Sequence, residues 1–117
     1  MSTLEAPVSD MLVTVKSREV QRAMMAEMRG DRDASRKHFL AAAHLELVLA
    51  DDYEQASESD LSFRSRLSAA SCFWRAGQPE QARKLTDNLL AADPTRTTEI
   101  QQVLNELAAD QQPRGGV

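Results

Sequence analysis

Arg75-Ala76-Gly77-Gln78-Pro79-Glu80 is the segment that decides the fold of this 117-residue chain. Gly77 can adopt the left-handed conformation that closes the C-terminus of a helix. Pro79 suits the first turn of the next helix, where its missing N–H costs nothing. The segment Met28-Arg29-Gly30-Asp31-Arg32-Asp33 has a similar turn, with acidic residues where the next helix begins. Two such turns between helical stretches predict an all-α chain of helical hairpins.

Apolar residues recur at helical spacing on both sides of these turns and predict five helices. The predicted ranges are about 9–29, 32–52, 60–76, 79–93 and 95–110. The second helix is apolar around most of its circumference, so we expect it to be central and contacted on more than one side. The fifth is amphipathic, as expected of a capping helix. We expect one domain over residues 9–110, with flexible ends at 1–8 and 111–117.

The stretch from Asp51 to Asp60 is acidic and rich in serine. It is expected to connect the second and third helices, with Ser57 or Ser59 as the N-cap of the third. The two glycine turns lie further apart than one standard repeat, and a long second helix plus this connector is expected to account for the difference.

The segment from Phe63 to Pro94 resembles a tetratricopeptide repeat (TPR), a family that pairs two antiparallel helices in about 34 residues. The resemblance is carried by the following residues: Ala69, Ala70, Phe73, Gly77, Ala82 and Pro94. Arg66 and Thr86 stand where the family has aromatic residues. The first helix pair fits less closely, because Glu19 and Arg22 stand at apolar positions of the family.

The resemblance also implies a binding groove, since the first helix of each TPR pair lines a concave surface. The implied groove positions are Arg64, Leu67, Ser68, Ser71 and Arg75 in the second pair, and Ser17, Val20, Gln21 and Met24 in the first. Spacing alone places two arginines and two serines of the second pair on one polar stripe. Arginines can bind carboxylates through two hydrogen bonds. The alternative is that this stripe is only the solvated face of the third helix.

Three methionines near the first glycine turn have two interpretations. Met24, Met25 and Met28 can form an adaptable contact patch, but core filling is the expectation.

Residues for catalysis or cofactor binding are scarce. Cys72 is the only cysteine, which excludes an intrachain disulfide, and we expect it to be a small apolar side chain. His38 and His44 are six residues apart on one helix, point in different directions and are expected to be surface histidines. No phosphate-binding glycine loop or serine–histidine–aspartate arrangement is recognisable. We therefore expect no enzyme activity, no cofactor and no metal.

The charge pattern argues against a nucleic-acid binder, because the net charge is −4 and there is no dense basic run. No apolar run reaches the roughly 18 residues of a membrane span. The N-terminus lacks the pattern of a signal peptide, so a cytoplasmic protein is expected. The excess of arginine over lysine favours a bacterial source.

The leading hypothesis is a non-catalytic protein–protein interaction module, an adaptor or chaperone, that binds a protein segment in a helical groove. The first alternative is a structural subunit or homodimerising scaffold, because the open ends of a short repeat array can pair. The second alternative is a small-molecule sensor or an unrecognised enzyme.

Overall fold

The chain folds as a series of helices joined by short turns. A computed structural model describes residues 5–110, with side chains described for 8–109. The helices are α1 (Glu5–Met28), α2 (Arg32–Gln55), α3 (Ser59–Arg75), α4 (Pro79–Ala92) and α5 (Thr97–Asp110), with a short 3₁₀ helix (Pro94–Arg96) before α5. These residues contain no strand, so the predicted all-α class is confirmed. Helix α1 begins earlier than predicted, and the predicted flexible tail at 111–117 lies outside the described residues.

Three turns join the first four helices, and all three close by the same pair of hydrogen bonds. One residue in each turn has a positive φ: Gly30 (79°), Ser57 (61°) and Gly77 (81°). That residue donates its N–H to the carbonyl three residues back, and the next N–H donates to the carbonyl five residues back, at 2.8–3.0 Å. This is the Schellman arrangement that satisfies carbonyls at a helix C-terminus. The chain therefore has a third turn of the same kind as the two predicted glycine turns, with Ser57 at the position of the glycine.

The acidic stretch between α2 and α3 is not a long connector. Helix α2 continues to Gln55 and α3 begins at Ser59, so this turn is as short as the other two. The N-cap of α3 is Glu58, and it makes no side-chain capping bond. The expectation that Ser57 or Ser59 caps α3 is therefore wrong. The extra length of the first helix pair lies in α2 itself.

Helix α2 is central to the N-terminal half of the domain. Helices α1 and α3 both pack on it, and in the described part of the chain no Cα of α1 lies within 8 Å of one in α3. Its buried residues follow one broad face at helical spacing: Ser35, Phe39, Ala42, Ala43, Glu46, Leu49 and Ala50. The opposite face is open to solvent, since Val48 is 49% exposed. Helix α2 is thus contacted by two helices, as expected, but on one side only.

The core has two parts that follow from residue size. Around α2 the helices approach closely because alanines line the contacts, and Phe39 and Phe73 fill the remaining space. A second cluster joins α3, α4 and α5 through Phe63, Leu89 and Ile100. Helix α5 buries Ile100 and Leu107 and keeps its glutamines exposed, in agreement with its predicted amphipathic pattern.

The methionines of α1 lie outside both clusters. Met24 is 49% exposed, Met25 59% and Met28 87%. The expectation that they fill the core is therefore wrong. They lie on flanks of α1 that α2 does not cover, and the small Ala23 and Ala26 make the buried contacts of that turn instead.

Candidate functional site

Helices α1 and α3 both pack on α2, and within the described residues no Cα of α1 lies within 8 Å of one of α3, so we call the space between them the α1–α3 groove. Its floor contains Glu46, a residue of α2 that is only 5% exposed. One carboxylate oxygen of Glu46, Oε2, lies 3.4 Å from Nζ of Lys16 in α1. The hydroxyls of Ser65 and Ser68 in α3 are close enough to the same carboxyl to lower its pKa. Glu46 therefore connects the two walls of the groove through its floor.

The environment of Glu46 is unfavourable for its charge. Burial raises the pKa of this carboxyl, and the ammonium of Lys16 and the two serine hydroxyls only partly offset that effect. Cys72 is buried in the same region. Burial, with a smaller contribution from the Glu46 carboxylate, raises the pKa of the Cys72 thiol to about 11. Cys72 is thus a protonated, unreactive thiol at neutral pH, as expected from its sequence context.

The polar stripe predicted on α3 lies along one outward face of the helix. Arg64, Ser68 and Arg75 are exposed and Ser71 is half-buried. Arg64 Nη2 is 4.0 Å from Oδ2 of Asp60, a loose pair between two exposed side chains. The guanidinium of Arg75 lies 5.7 Å from the ring centroid of Phe39, a residue of α2.

Leu67 was implied as a groove residue but occupies a different place. Its side chain is half-buried and packs against the cluster of Phe63, Leu89 and Ile100. It therefore contributes to the core that α3 shares with α4 and α5. The other four positions implied on α3 remain together on the stripe.

The row implied on α1 lies beside Lys16, the residue that reaches Glu46 on the groove floor. Ser17 and Gln21 are exposed and Met24 is half exposed. Val20 is half-buried and packs against the core cluster around α2. This side of α1 presents a mixed wall, apolar near the floor and polar at the rim.

Glu46 and Lys16 were missed by the sequence reasoning, although the sequence contains a signal for one of them. Glu46 stands at core spacing in a run of buried apolar residues of α2, formed by Phe39, Ala42, Ala43, Leu49 and Ala50. A charged residue at such a position needs a partner, because burying an unpaired charge is costly. Nothing in the sequence pattern indicates that the partner comes from α1.

Glu19 makes a second polar contact between α1 and α2, and it also pairs with Arg22 within α1. Oε1 of Glu19 lies 2.8 Å from Nδ1 of His38, and Oε2 lies 2.6 Å from Nη1 of Arg22. The hydrogen bond with His38 is the main cause that lowers the pKa of Glu19, and Arg22 adds to it. His38 is therefore half-buried and bonded to α1 rather than a plain surface histidine. His44 is exposed, with its ring edge-on to Phe73 at 5.4 Å.

Within residues 5–110, no group of three or more histidine, cysteine, aspartate or glutamate side chains is arranged to hold a metal ion. No helix in this range is long and apolar enough to cross a bilayer. Comparison with protein-family models, with curated proteins and with solved structures yields no match for the chain.

Proposed function

We propose that this chain is a non-catalytic, TPR-like interaction module, cytoplasmic in location, that binds an extended protein segment in the groove between α1 and α3. The observation that supports this proposal is the separation of the two walls: both helices pack on α2, and among the described residues no Cα of α1 lies within 8 Å of one of α3. An extended segment can lie between them and contact both rows of exposed side chains.

The chemistry of the walls suggests what the segment carries. Arg64 and Arg75 lie at the two ends of the α3 stripe and favour carboxylates on the bound segment. Ser68 and Ser71, between them, are small and leave room for its backbone. On the opposite wall, Val20 and the half-exposed Met24 offer apolar contact. An acidic segment with an apolar side chain fits this combination best.

The test begins with capture of the partner by the full chain from its native host, followed by mapping of the bound segment. The affinity of that segment is then measured for the double variant Arg64→Ala/Arg75→Ala. Loss of two charge-assisted contacts is expected to weaken binding by about tenfold or more. The matched control is Arg29→Ala/Arg32→Ala at the first turn, which should leave the affinity unchanged. Equal affinity of wild type and the Arg64→Ala/Arg75→Ala variant refutes the groove as the binding site.

A homodimerising scaffold is the second candidate, and the exposed apolar residues of α1 favour it. Val8, Met11, Val15 and Met25 are between 42% and 67% exposed. Scattered apolar residues are common on monomers, so their presence alone does not require a partner. Sedimentation velocity over a range of concentrations separates the candidates, because a concentration-independent monomer excludes the dimer.

A further inference from the structure

An open pocket of about 770 Å³ lies where the ends of α2 and α4 flank the start of α3. Its α3 residues include Ser62 and Arg66, which point to the side of the helix opposite the stripe of Arg64 and Arg75, since a helix turns about 100° per residue. The pocket is therefore separate from the groove between α1 and α3. Its volume is in the range of ligand-binding clefts, roughly 300–1,000 Å³.

The floor of the pocket is apolar. Phe63 and Leu89 are each 7% exposed, and half-buried Leu85 and exposed Ala92 complete the apolar lining. The guanidinium of Arg96 lies 4.1 Å from the centroid of the Phe63 ring. One face of the ring is thus covered by a cation, and the pocket lies beside this stacked pair. Such a floor favours an apolar side chain from a ligand.

The rim of the pocket is charged, and its carboxylates outnumber its guanidinium groups. Arg66 Nη2 lies 3.3 Å from Oδ1 of Asp51 and 2.6 Å from Oε1 of Glu54. Arg96 pairs with Asp60, and Nε of Arg96 lies 3.4 Å from Oε1 of Glu99.

Asp93 also lines the pocket, and Asp60 has a second, looser partner in Arg64. The residues that line the pocket thus carry three carboxylates, those of Glu54, Asp60 and Asp93, against two guanidinium groups, those of Arg66 and Arg96. The side chains of Glu54 and Asp60 are 68% and 65% exposed, so they can accept further hydrogen bonds from a ligand. A net negative rim around an apolar floor is complementary to a basic ligand that also carries an apolar side chain.

We propose that this pocket is a second docking site, for a protein segment that places an apolar side chain against Phe63 and Leu89 and basic side chains beside Glu54 and Asp60. This site lies outside the groove proposed above and has the opposite charge preference. One chain can then hold an acidic segment on one side of α3 and a basic segment on the other. The module would connect two partners.

The test uses the full chain and three short fluorescein-labelled peptides in anisotropy titrations. The first has a leucine–phenylalanine pair flanked by lysines; the second has glutamates for the lysines; the third has serines for the apolar pair. The lysine peptide should bind most tightly, and each of the others should bind about tenfold or more weakly. Binding should also weaken as salt is added, because the rim charges are exposed. A glutamate peptide that binds as tightly as the lysine peptide overturns the proposal.

Two adjacent alanines of α4 give a matched pair of variants. Ala91 and Ala92 are both exposed on the last turn of the helix, but of the two only Ala92 lines the pocket. Ala92→Trp should fill the pocket and lower the affinity for the lysine peptide by about tenfold or more, whereas Ala91→Trp should leave that affinity unchanged. Circular dichroism of both variants checks that the fold is retained. Equal effects of the two variants overturn the site.

Self-association is a separate outcome of the same variants. If wild-type chain associates with itself in sedimentation velocity and Ala92→Trp alone abolishes that association, the occupant is a second copy and the two-partner proposal is wrong. A monomeric wild type that binds the lysine peptide supports the proposal.

Discussion

The Nζ atom of Lys16 lies 3.4 Å from Oε2 of Glu46, and this ion pair links α1 to the floor on which α3 also rests. On the other side, the hydroxyls of Ser65 and Ser68 in α3 lower the pKa of the same carboxyl. Polar interactions through Glu46 therefore couple α1 to α3 across α2. A buried ion pair of this kind is weak evidence for stability, because desolvation offsets the attraction.

The first prediction concerns the stability of the folded chain as a function of pH. Because the folded-state pKa of Glu46 is raised, the folded chain binds more protons than the unfolded chain between the ordinary pKa and the raised one. The contribution of Glu46 to stability is therefore greatest below the ordinary pKa and falls as pH rises through this window. Glu46→Gln should remove that fall. Urea unfolding at several pH values measures it, with the exposed Glu27→Gln as control.

The second prediction concerns the ion pair as a unit. The double variant Lys16→Met/Glu46→Met removes both charges at similar volume, so it should be neutral or more stable than wild type by about 1–4 kcal/mol at neutral pH. Glu46→Met alone should be less stable than the double variant, because it leaves Lys16, which is only 24% exposed, without its partner. Chemical denaturation measures the difference. A loss of more than about 2 kcal/mol in the double variant would show that the ion pair is net stabilising, contrary to the cause assigned here to the raised pKa.

The third prediction concerns the turn between α2 and α3. Ser57 has a φ of 61°, a conformation that costs an ordinary residue roughly 1–2 kcal/mol and glycine almost nothing. Ser57→Gly should therefore stabilise the fold, by up to about 1 kcal/mol after the greater flexibility of the unfolded chain is included. Thermal unfolding measures the change, and a lower melting temperature contradicts it.

The reverse substitution, from glycine to alanine, can be made at the other two turns, at Gly30 and Gly77. Gly30→Ala places a Cβ in open space and tests the backbone cost alone, about 1–2 kcal/mol of stability lost. Gly77→Ala brings the new Cβ within 3.1 Å of Nε of Arg36, an exposed and flexible side chain that can move. The two losses should thus be similar. A loss at Gly77 several-fold larger would show that Arg36 is held in place.

These turns show how far sequence reasoning reaches. Glycine at two turns and proline at the start of α4 have strong local preferences, so the hairpins around them were predicted with nearly correct boundaries. Ser57 carries no such signal, because serine does not favour the left-handed conformation that it adopts in this turn. The all-α class was therefore predictable, but the third Schellman turn was not.

The candidate site was predictable only in part, for a similar reason. Helical periodicity places Arg64 and Ser68 on one exposed stripe of α3, which the structure contains. Leu67 was expected in the groove only because of the resemblance to a TPR, and it packs instead with the cluster that α3 shares with α4 and α5. The partnership of Lys16 and Glu46 depends on tertiary packing and was not visible.

The fourth prediction is that Cys72 reacts with thiol reagents only when the fold opens. Its pKa of about 11 leaves almost no thiolate at neutral pH, and it is 8% exposed. Modification by a chromogenic disulfide reagent should be at least about a hundredfold slower in the folded chain than in denaturant. Rapid modification of the folded chain contradicts the burial.

The fifth prediction compares the effect on stability of replacing a surface methionine with that of replacing a core leucine. Met28→Gln should leave the melting temperature nearly unchanged, because this side chain is 87% exposed. Leu49→Ala, at a residue 1% exposed, should cost about 2–5 kcal/mol and serves as the comparison. A large loss in Met28→Gln would instead indicate that the α1 methionines contact another copy or segment.

The most direct test of the proposed function is an amide NMR titration of the labelled full chain with the captured acidic segment. We expect the largest shifts at Ser17, Gln21, Ser68 and Ser71, on the two facing walls of the α1–α3 groove. Shifts confined to the pocket around Phe63 and Leu89, with the groove residues unchanged, would contradict the assignment of the groove as the binding site.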